Sequence, residues 1–552
     1  MRKRWKIGKL TDKAKFIAKK SSLNPIIVQI LINRNIEEND FSDFLNNKGH
    51  FYSPLLLPDM KIALERIKRA IKDRERICLF GDYDVDGITS LVIFYDYIKE
   101  TGVEFSFYIP HRLKEGFGLN REAIKKIKEE GTSLVICFDC GTNSNDEVNL
   151  ARSLGMDMII VDHHFPKEGV NTPLAFINPK RRDSSYPFSF LTSASLAFKL
   201  VQALKDNDCL HLLDLVALSL VCDVAPLIGE NRNLLKEGLK LLREAKRPCI
   251  DILCKSSGIK SENIDTFHLG YILGPRINAS GRVNTAKDSL EMFINPDKNR
   301  LEEYVKRLEE HNRLRKEIEK RILEEAEEDI SRYIKDYPTI VVYREGWHQG
   351  ILGIVASRLV ERYYRPAFVF GFQNERGKGS ARSIANFNLM EALNYCSQYL
   401  TTYGGHTQAA GIEIVYKNIE EFKNKLNEVA GKFLSPQDYL PCLDIDLEVE
   451  LTDINLDLVK SIDNLKPFGE GNPQPLFVTR GVFVKQPCKK NSNGIYSVWL
   501  SKNELTYEGI FFENNGLVDI LNYGKFVDIV YSLERNYYYD SVRLVLRDVR
   551  LS

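Results

Sequence analysis

The sequence predicts a multidomain α/β protein: a parallel-sheet domain, a long connecting helix, a smaller α/β domain and a C-terminal β-barrel module. The chain has 552 residues, which is too many for one compact core. Between residues 77 and 161, short apolar runs alternate with helical stretches, as in strand–helix–strand units. After residue 440 the pattern changes to short alternating runs with Asn and Gly between them, which is typical of a small barrel.

These changes of pattern predict five segments. We expect an N-terminal helical segment over 1–55, the parallel-sheet domain over 56–295, a connecting helix over 296–336, the smaller α/β domain over 337–435 and the β module over 436–552.

The parallel sheet is predicted from four apolar runs with helical stretches between them. The strands are expected at Ile77–Phe80, Val103–Ile109, Leu134–Phe138 and Met158–Val161. The helices are expected at Ile88–Glu100, Glu122–Glu130 and Asp146–Leu154. Near-continuous apolar strands that alternate with helices indicate a parallel sheet covered on both faces.

The remaining elements are assigned by the same periodicities. Helices dominate 193–245, and residues 301–335 are charged, with apolar residues at mostly helical intervals, which predicts the connecting helix. Its apolar stripe leaves coiled-coil dimerisation open, but the stripe is short and imperfect, and we expect a monomer. The smaller α/β domain begins with a strand at Thr339–Tyr343, and the tail contains short strands such as Tyr496–Leu500.

Composition limits the function classes only loosely. There are 77 basic and 76 acidic residues, a net charge of +1, so any site for a polyanion must be a local patch. The most apolar long stretch, Leu212–Ile228, contains Asp214 and Asp223 and is not expected to span a membrane. Ten scattered cysteines and the lack of a signal-type apolar run after the basic start predict a reduced, cytoplasmic location.

Acidic and imidazole groups follow the strands of the predicted parallel sheet. They are Asp82, Asp84 and Asp86 in GDYDVDG, then Asp139, then Asp162, His163 and His164, with Asp223 later in LVCDVAP. The carboxyl ends of parallel strands meet at one edge of the sheet, where ligands bind. Any one of these aspartates read alone is more simply a helix cap, but that reading does not explain all the clusters together.

The gathered charges predict a metal site. Two carboxylates about 4 Å apart repel by roughly 4 kcal/mol at an effective dielectric constant near 20, so four or more would protonate unless cations were present. Two divalent ions would balance the charges of Asp84, Asp86, Asp139 and Asp223, and His163 would add a nitrogen ligand. Oxygen ligands with one imidazole suit Mn²⁺ or Mg²⁺. Such a pair of ions can hold a phosphodiester, activate a water and stabilise the leaving oxygen.

Other motifs offer donors to phosphate. Ser380 and Arg382 in GKGSARS point to the same side if the segment is extended, and Arg112 in IPHRLKEGFG follows a strand end. GGHTQAAG places small residues around His406, which suits either close approach to a phosphate or a tight turn.

Two further motifs are ambiguous. Arg276, Asn278 and Arg282 in GPRINASGR are expected around a flexible turn, where they would follow a nucleic-acid backbone or form interdomain salt bridges. His348 precedes a glycine-rich helix start that suits a phosphate, whereas Trp347 fits core packing as well as base stacking. The β module resembles an OB-fold, a fold that binds single strands.

The motifs resemble a known superfamily. GDYDVDG, the strand end at Asp139 and the DHH triplet at 162–164 are similar to the DHH phosphoesterases. GPRINASGR, GWHQGILGIVASR, GKGSARS and GGHTQAAG resemble, within the DHH/DHHA1 proteins, the RecJ family of single-stranded-DNA-specific 5′→3′ exonucleases. The resemblance covers roughly residues 50–480, and it implies a DHH domain, a DHHA1 domain and an OB-like module without a further C-terminal domain.

The resemblance also implies residue roles. It implies the metal ligands Asp84, Asp86, Asp139, His163 and Asp223. It implies that His164 contacts the scissile phosphate, that Asp82 and Asp162 support the ligands, and that Arg112, Ser380 and Arg382 bind a 5′-phosphate. The implied setting is DNA repair and recombination, with single-stranded-DNA-binding protein and a RecQ-type helicase as possible partners.

The expected function is therefore metal-dependent hydrolysis of single-stranded DNA from its 5′ end to mononucleotides. One alternative is a DHH phosphodiesterase acting on short oligoribonucleotides, cyclic dinucleotides or pyrophosphate. The β module and the basic motifs favour a longer substrate, while the 5′ polarity comes from the resemblance alone. A non-enzymatic nucleic-acid-binding scaffold is disfavoured, because gathered carboxylates repel phosphate.

Overall fold

The protein consists of two compact units in a computed structural model. One comprises residues 50–439, and the other combines 1–49 with 440–552. The structure describes residues 3–46, 51–112, 114–116, 118–169, 173–332, 334, 337–492, 494–512, 516–536 and 539–552.

In its described residues, the N-terminal segment contains three α-helices and one strand. They are β1 (Arg4–Ile7), α1 (Asp12–Ser21), α2 (Pro25–Asn33) and α3 (Phe41–Asn46). The side chains of Thr11 and Asn24 accept hydrogen bonds from the first turns of α1 and α2, which fixes where these helices begin. Because the sequence pattern predicts only helices here, β1 is an addition to the expectation.

The first domain of the larger unit is built on a five-stranded parallel sheet. Its elements are α4 (Met60–Lys72), β2 (Ile77–Gly81), α5 (Val85–Ile98), β3 (Phe105–Tyr108), α6 (Arg121–Glu129), β4 (Leu134–Phe138), α7 (Asn145–Ser153), β5 (Asp157–Val161) and β6 (Ala175–Ile177). The strand order is β3-β2-β4-β5-β6, and every pairing is parallel. Two apolar clusters cover the two faces, so the expected parallel sheet is confirmed and β6 is added to it.

Helices follow the sheet up to residue 330. They are α8 (Ser193–Lys205), α9 (Leu213–Cys222), α10 (Gly229–Arg243), α11 (Pro248–Ser256), a π-helix (His268–Leu273), α12 (Gly274–Val283), α13 (Lys287–Ile294) and the long α14 (Lys298–Ile330). The motif GPRINASGR lies within α12, so the expectation of a flexible turn is wrong. The Gly274-Pro275 start permits this, because proline is tolerated in the first turn of a helix.

Helix α14 connects two apolar cores. Leu301, Val305 and Leu308 pack in the core of the first domain, whereas Ile322 and Ile330 pack in a cluster of the second. Much of the apolar stripe is thus buried within the chain, so the coiled-coil alternative is not needed to explain it.

The second domain of this unit contains a mixed five-stranded sheet. Its elements are β7 (Ile340–Glu345), α15 (Leu352–Tyr363), β8 (Ala367–Gln373), β9 (Arg376–Arg382), α16 (Leu389–Tyr395), β10 (Leu400–Gly405), β11 (Ala409–Val415) and α17 (Ile419–Phe433). The order is β10-β11-β9-β8-β7, with only β7 and β8 parallel. The expected smaller α/β domain is confirmed.

The C-terminal module is a closed barrel. Its elements are β12 (Cys442–Ile445), β13 (Leu447–Glu448), α18 (Leu456–Asp463), β14 (Phe477–Val484), β15 (Lys489–Lys490), β16 (Tyr496–Lys502), β17 (Leu505–Phe511), α19 (Leu517–Ile520), β18 (Phe526–Asn536) and β19 (Ser541–Leu551). Five strands close in the order β14-β18-β19-β17-β16, because β16 also pairs with β14. The N-terminal β1 pairs in parallel with β12, and α1–α3 share an apolar core with the barrel.

No helix among the residues described is long and apolar enough to cross a membrane.

Candidate metal centre and phosphate pocket

The first acidic motif is shaped by the turn between β2 and α5. Asp84 caps α5, and its carboxylate accepts hydrogen bonds from the amides of Asp86 (2.9 Å) and Gly87 (3.1 Å). A Cβ atom at Gly87 would lie 2.5 Å from the carbonyl oxygen of Asp82, so only glycine lets the chain fold this closely. The turn therefore brings the three aspartates of GDYDVDG to one edge of the sheet.

Asp86 is held by the start of α8. Its carboxylate accepts hydrogen bonds from the amides of Ser193 (2.9 Å) and Ala194 (2.8 Å) and from the hydroxyl of Ser219 (2.7 Å). The positive end of the α8 dipole favours a carboxylate at this position. A buried anion is thus fixed in one orientation by donors that lie far from it in sequence.

Asp139 directly follows β4, and Asp162 directly follows β5. Asp139 has a φ of 63°, in the left-handed region, and its amide donates to the carbonyl of Val161 at 3.1 Å. The carboxylate of Asp162 accepts from the amides of Thr142 (3.1 Å) and His163 (2.7 Å) and pairs with Nδ1 of His164 (2.7 Å). Both aspartates are almost fully buried.

The side chains converge on His163. Its Nε2 lies 3.7 Å from Asp86 Oδ2, 3.3 Å from Asp139 Oδ1 and 3.7 Å from Asp223 Oδ2. A second group, in which one oxygen from each residue lies within 4.8 Å of the others, combines Asp82, Asp84 and Asp139. Asp139 takes part in both groups, so it lies between two places that could each hold a cation.

Burial and mutual repulsion make it unfavourable for all the carboxylates of this site to be ionised at once. Burial, and then the charge of Asp84, raise the pKa of Asp86 to about 6. Burial and the neighbouring carboxylates also raise the pKa values of Asp82, Asp139 and Asp223 well above their usual range. One oxygen of Asp82, Oδ1, is buried and has no hydrogen-bond partner in the described part of the chain. Each of these features is relieved by a cation.

The two histidines differ in charge. Burial, and then the nearby His164, lower the pKa of His163 to about 3, so its imidazole is neutral and able to bind a metal near pH 7. Burial disfavours the charged form of His164 as well, but the hydrogen bond to Asp162 outweighs it and raises the pKa of His164 to about 9. His164 is therefore a cationic donor beside the carboxylates.

A pocket of about 440 Å³ lies between the two domains of this unit and is lined by two of the three predicted phosphate donors. Arg112 and Ser380 line it, and Arg382 Nη1 lies 3.1 Å from Ser380 Oγ. The guanidinium of Arg112 lies over the ring of Tyr83, 4.9 Å from the ring centre. Burial, and then the charge of Arg112, lower the pKa of Arg382. Positive groups this close to one another favour a bound anion.

Two more predicted residues lie near this pocket. Burial, and then the charge of Arg112, lower the pKa of Arg282 to about 10. Burial, and to a smaller extent the charge of Arg112, lower the pKa of His348. The Nδ1 atom of His348 is buried without a hydrogen-bond partner in the described ranges. A Cβ atom at Gly350 would lie 2.3 Å from the carbonyl oxygen of Arg282, so the two domains meet here backbone to backbone. These residues thus lie where the domains meet.

Three predicted residues lie elsewhere or act on the protein itself. Arg276 pairs with Glu309 at 2.7 Å, which matches the salt-bridge reading of its motif. Asn278 accepts a hydrogen bond from the amide of Val85 at 3.0 Å, so it supports the start of α5. His406 is exposed in the hairpin between β10 and β11, and Gly404 of the same motif lines the pocket.

Sequence reasoning missed Asn178, which holds the DHH triplet. Its fully buried amide donates to the carbonyl of His164 (2.8 Å) and to Thr142 Oγ1 (3.2 Å). The signal was available, because Asn178 follows a short apolar run and precedes a proline. Trp347 is buried in a core and donates to Glu325 at 2.7 Å, which decides for packing over base stacking.

Comparisons with known proteins agree with this arrangement. The DHH family N-terminal domain matches residues 76–220, the DHHA1 domain matches 336–432, and the RecJ OB domain matches 445–548. The single-stranded-DNA-specific exonuclease RecJ of Bacillus subtilis is 36% identical over 508 residues, which are 91% of this chain and 64% of the relative. The chain thus spans just under two thirds of the length of that relative. The RecJ of Dickeya dadantii is 32% identical over 78% of this chain and 79% of its own length.

Solved structures show the same fold. The RecJ of Thermus thermophilus in complex with Mn²⁺ superposes with a TM-score of 0.84 at 24% identity, over all of this chain and 80% of that one. Another exonuclease RecJ, bound to manganese, gives a TM-score of 0.62 at 29% identity over 70% of this chain and 98% of that one. The family is therefore established by sequence, and the fold by structure. The chain belongs to the RecJ family of single-stranded-DNA-specific exonucleases.

Proposed function

We propose that this protein removes mononucleotides from the 5′ end of single-stranded DNA with the help of two divalent cations, Mn²⁺ or Mg²⁺. One observation carries the proposal: a crowded carboxylate centre and a cationic pocket lie at the same edge of one parallel sheet. The first can hold metals against a phosphodiester, and the second can hold a terminal phosphate beside it.

The residues fit a pair of metal ions. Asp84, Asp86, Asp139 and Asp223 offer oxygens and His163 a neutral nitrogen, a donor set that suits Mn²⁺ or Mg²⁺. The raised pKa values of Asp86, Asp139 and Asp223 are those expected of ligands without their cations. When bound, the ions supply charge neutralisation of the phosphodiester and acidify a water for in-line attack.

The chain's own groups orient the substrate. His164, cationic and held by Asp162, would donate a hydrogen bond to a non-bridging oxygen of the scissile phosphate. Asp162 fixes the ring through Nδ1, and Nε2 would be the donor toward substrate. Asp82 groups with Asp84 and Asp139 and would support these ligands from its buried position.

Arg112, Ser380 and Arg382 would bind the terminal phosphate. Arg282, His348 and His406 would contact the DNA backbone. Arg276 and Asn278 would contribute indirectly, by holding the protein in place through the ion pair with Glu309 and the hydrogen bond with Val85. Terminal recognition next to the metals would release one nucleotide per cleavage, while the 5′→3′ polarity rests on the resemblance to the RecJ exonucleases. The alternative, hydrolysis of short oligoribonucleotides or cyclic dinucleotides, is disfavoured by the family and by the barrel, whose fold binds longer single strands.

The proposed setting is DNA repair and recombination in the cytoplasm. All ten cysteines are free, which fits a reducing compartment. Single-stranded DNA is the substrate, and single-stranded-DNA-binding protein and a RecQ-type helicase are the proposed protein partners.

The test is a digest of single strands labelled separately at the 5′ and the 3′ end. With Mn²⁺ or Mg²⁺, a 5′ label should appear at once as mononucleotide, while a 3′ label should pass through a ladder of shortening strands. EDTA should stop both. Immediate release of mononucleotide from the 3′ label would contradict the polarity, and full activity in EDTA would contradict the metal mechanism.

A further inference from the structure

Phe165 and Lys180 form a pair beside the metal centre that the proposed mechanism does not use. Phe165 comes directly after His164, and its ring is 64% exposed. The ammonium of Lys180 lies 4.7 Å from the centre of that ring. Lys180 faces the charges of Asp223, Asp162 and Asp86, yet in the described part of the chain it hydrogen-bonds to none of these carboxylates.

The backbone on which this pair lies is fixed although its side chains are exposed. The side-chain amide of Asn143 donates to the carbonyl of Phe165 at 3.1 Å. Asn178 donates to the carbonyl of His164 and accepts from the amide of Lys180 at 2.8 Å. One buried asparagine thus holds both the catalytic triplet and the lysine. A lone exposed aromatic is ordinary, but a fixed ring with a cation above it, next to a catalytic histidine, suits a nucleotide.

The sheet order places this pair opposite the terminal phosphate pocket. Arg112 follows β3, at one edge of the sheet, and Lys180 follows β6, at the other edge. The aspartates of GDYDVDG, Asp139 and His163 follow β2, β4 and β5 between these two edges, and adjacent β-strands lie about 4.8 Å apart. A single-stranded DNA whose 5′-phosphate lies by Arg112 and whose first phosphodiester lies at the metals therefore continues toward Lys180.

We propose that Phe165 and Lys180 form the binding subsite for the nucleotide on the 3′ side of the scissile phosphate. The ring of Phe165 stacks on the base of the second nucleotide, and Lys180 pairs with the phosphate between the second and the third. The proposal rests on the function proposed above. Stacking accepts any base and contributes about five- to a hundredfold in affinity, so the subsite would hold the shortened strand without reading its sequence.

The experiment compares three 5′-phosphorylated strands. One is unmodified, one lacks the base of the second nucleotide, and one carries an uncharged methylphosphonate between the second and third nucleotides. The initial rate of the first cleavage is measured with Mn²⁺ at limiting substrate. The wild-type protein should cleave both modified strands roughly tenfold more slowly than the unmodified one.

Variants assign each contact. Phe165→Ala should cleave the unmodified strand about tenfold more slowly but lose nothing further on the abasic strand, and Phe165→Trp should recover. Lys180→Ala should cleave the methylphosphonate strand as fast as it cleaves the unmodified strand. Lys180→Arg, which keeps the charge, should still cleave the methylphosphonate strand more slowly. Lys167→Ala, an exposed lysine of the same loop, is the matched control and should behave as wild type on all three strands.

Two outcomes overturn the subsite. Phe165→Ala or Lys180→Ala could have no effect, or either variant could slow the three strands by the same factor, which indicates a general effect on the centre. Cleavage of the unmodified strand by the wild type separates these failures from failure of the proposed function, because without that cleavage both are wrong.

Discussion

Asp139 shows how much one residue's backbone can determine. Its φ of 63° is a conformation that asparagine and aspartate adopt more readily than other residues with a Cβ atom. Alanine at this position would remove the carboxylate and also strain the turn, by roughly 1–2 kcal/mol. Asparagine removes the charge and keeps the conformation, so it is the cleaner substitution.

We expect Asp139→Asn to abolish cleavage while the protein remains folded, because the carboxylate shared by both metal groups is lost. Turnover with Mn²⁺ and the thermal unfolding midpoint are measured together. The midpoint without metal should not fall, since a buried repulsive charge has been removed. Near-normal turnover of Asp139→Asn would show that Asp139 does not bridge two ions.

Arg382 separates recognition of the end from chemistry. A charged hydrogen bond contributes about 1.5–3 kcal/mol, so Arg382→Ala should slow cleavage at limiting substrate by about ten- to a hundredfold on a 5′-phosphorylated strand. The loss should be much smaller on a 5′-hydroxyl strand, which cannot make the contact. Initial rates on the two strands decide the matter, with Asp139→Asn inactive on both. Equal factors for the two ends would place the terminal pocket elsewhere.

Individual residues were predictable from sequence where their chemistry is concentrated in motifs. The aspartates and histidines proposed to bind metal and the three residues proposed to bind phosphate were all named from the sequence, and the structure brings each set together. The apolar run and the proline beside Asn178 mark the end of a strand but not its partners. The hydrogen bonds of Asn178 and the φ of Asp139 were not anticipated, because they depend on neighbours that meet only in the folded chain.

At the scale of elements, periodicity identified the parallel sheet but not every segment. The two glycines and the proline of GPRINASGR suggest a turn, yet the segment is helical. Its glycines serve packing, because larger side chains at Gly274 and Gly281 would collide with Cys222 and Tyr83. Close packing thus overrides the low helix propensity of glycine. The parallel pairing of β1 with β12 joins residues more than 400 positions apart, which no local pattern encodes.

A buried ion pair joins α8 to α10. Lys199 Nζ lies 2.6 Å from Glu230 Oε1, and neither side chain is exposed. Tyr186 and the amide of Tyr52 also donate to Glu230, and Lys199 donates to the carbonyl of Tyr52. The network therefore ties the segment before α4 to the helices behind the metal centre.

Lys199→Met should be strongly destabilising, by about 3–5 kcal/mol, because it leaves the charge of Glu230 buried and unpaired. Thermal unfolding of the domain should report this as a lower midpoint. Lys205→Met is the matched control, since Lys205 pairs with a largely exposed Glu100 and should contribute at most about 1 kcal/mol. Similar shifts for the two variants would mean that the buried pair is held by packing and not by its charges.

At the scale of the larger unit, the crevice proposed to admit the substrate lies where the two domains of that unit meet. The pocket is lined by Arg112 from one domain and by Ser380 from the other, and the backbone contact at Gly350 prevents closer approach. Helix α14, packed in a core of each domain, holds this spacing. The sequence predicted the two domains and the helix between them, but the width of the crevice depends on packing distances.

We expect the crevice to admit a single strand and exclude a duplex. A blunt duplex should therefore resist digestion under conditions in which either of its strands alone is degraded. The measurement is the rate of mononucleotide release from the same labelled strand, free or annealed, with a strand bearing a single-stranded 5′ extension as control. Equal rates on the blunt duplex and the free strand would contradict a width limit.

Apart from Asp223, the residues proposed to bind metal lie at the ends of separate strands, and this placement bears on how the chain can diverge. Each strand is fixed by its register against the next, with Gly81 beside Phe138 and Phe138 beside Val161. Beyond the turns that carry the site residues, the helices between those strands return the chain to the start of the sheet. Insertions and deletions within these connections can therefore accumulate while the distances between carboxylates stay constant, so relatives can differ widely in length between motifs and keep the same centre.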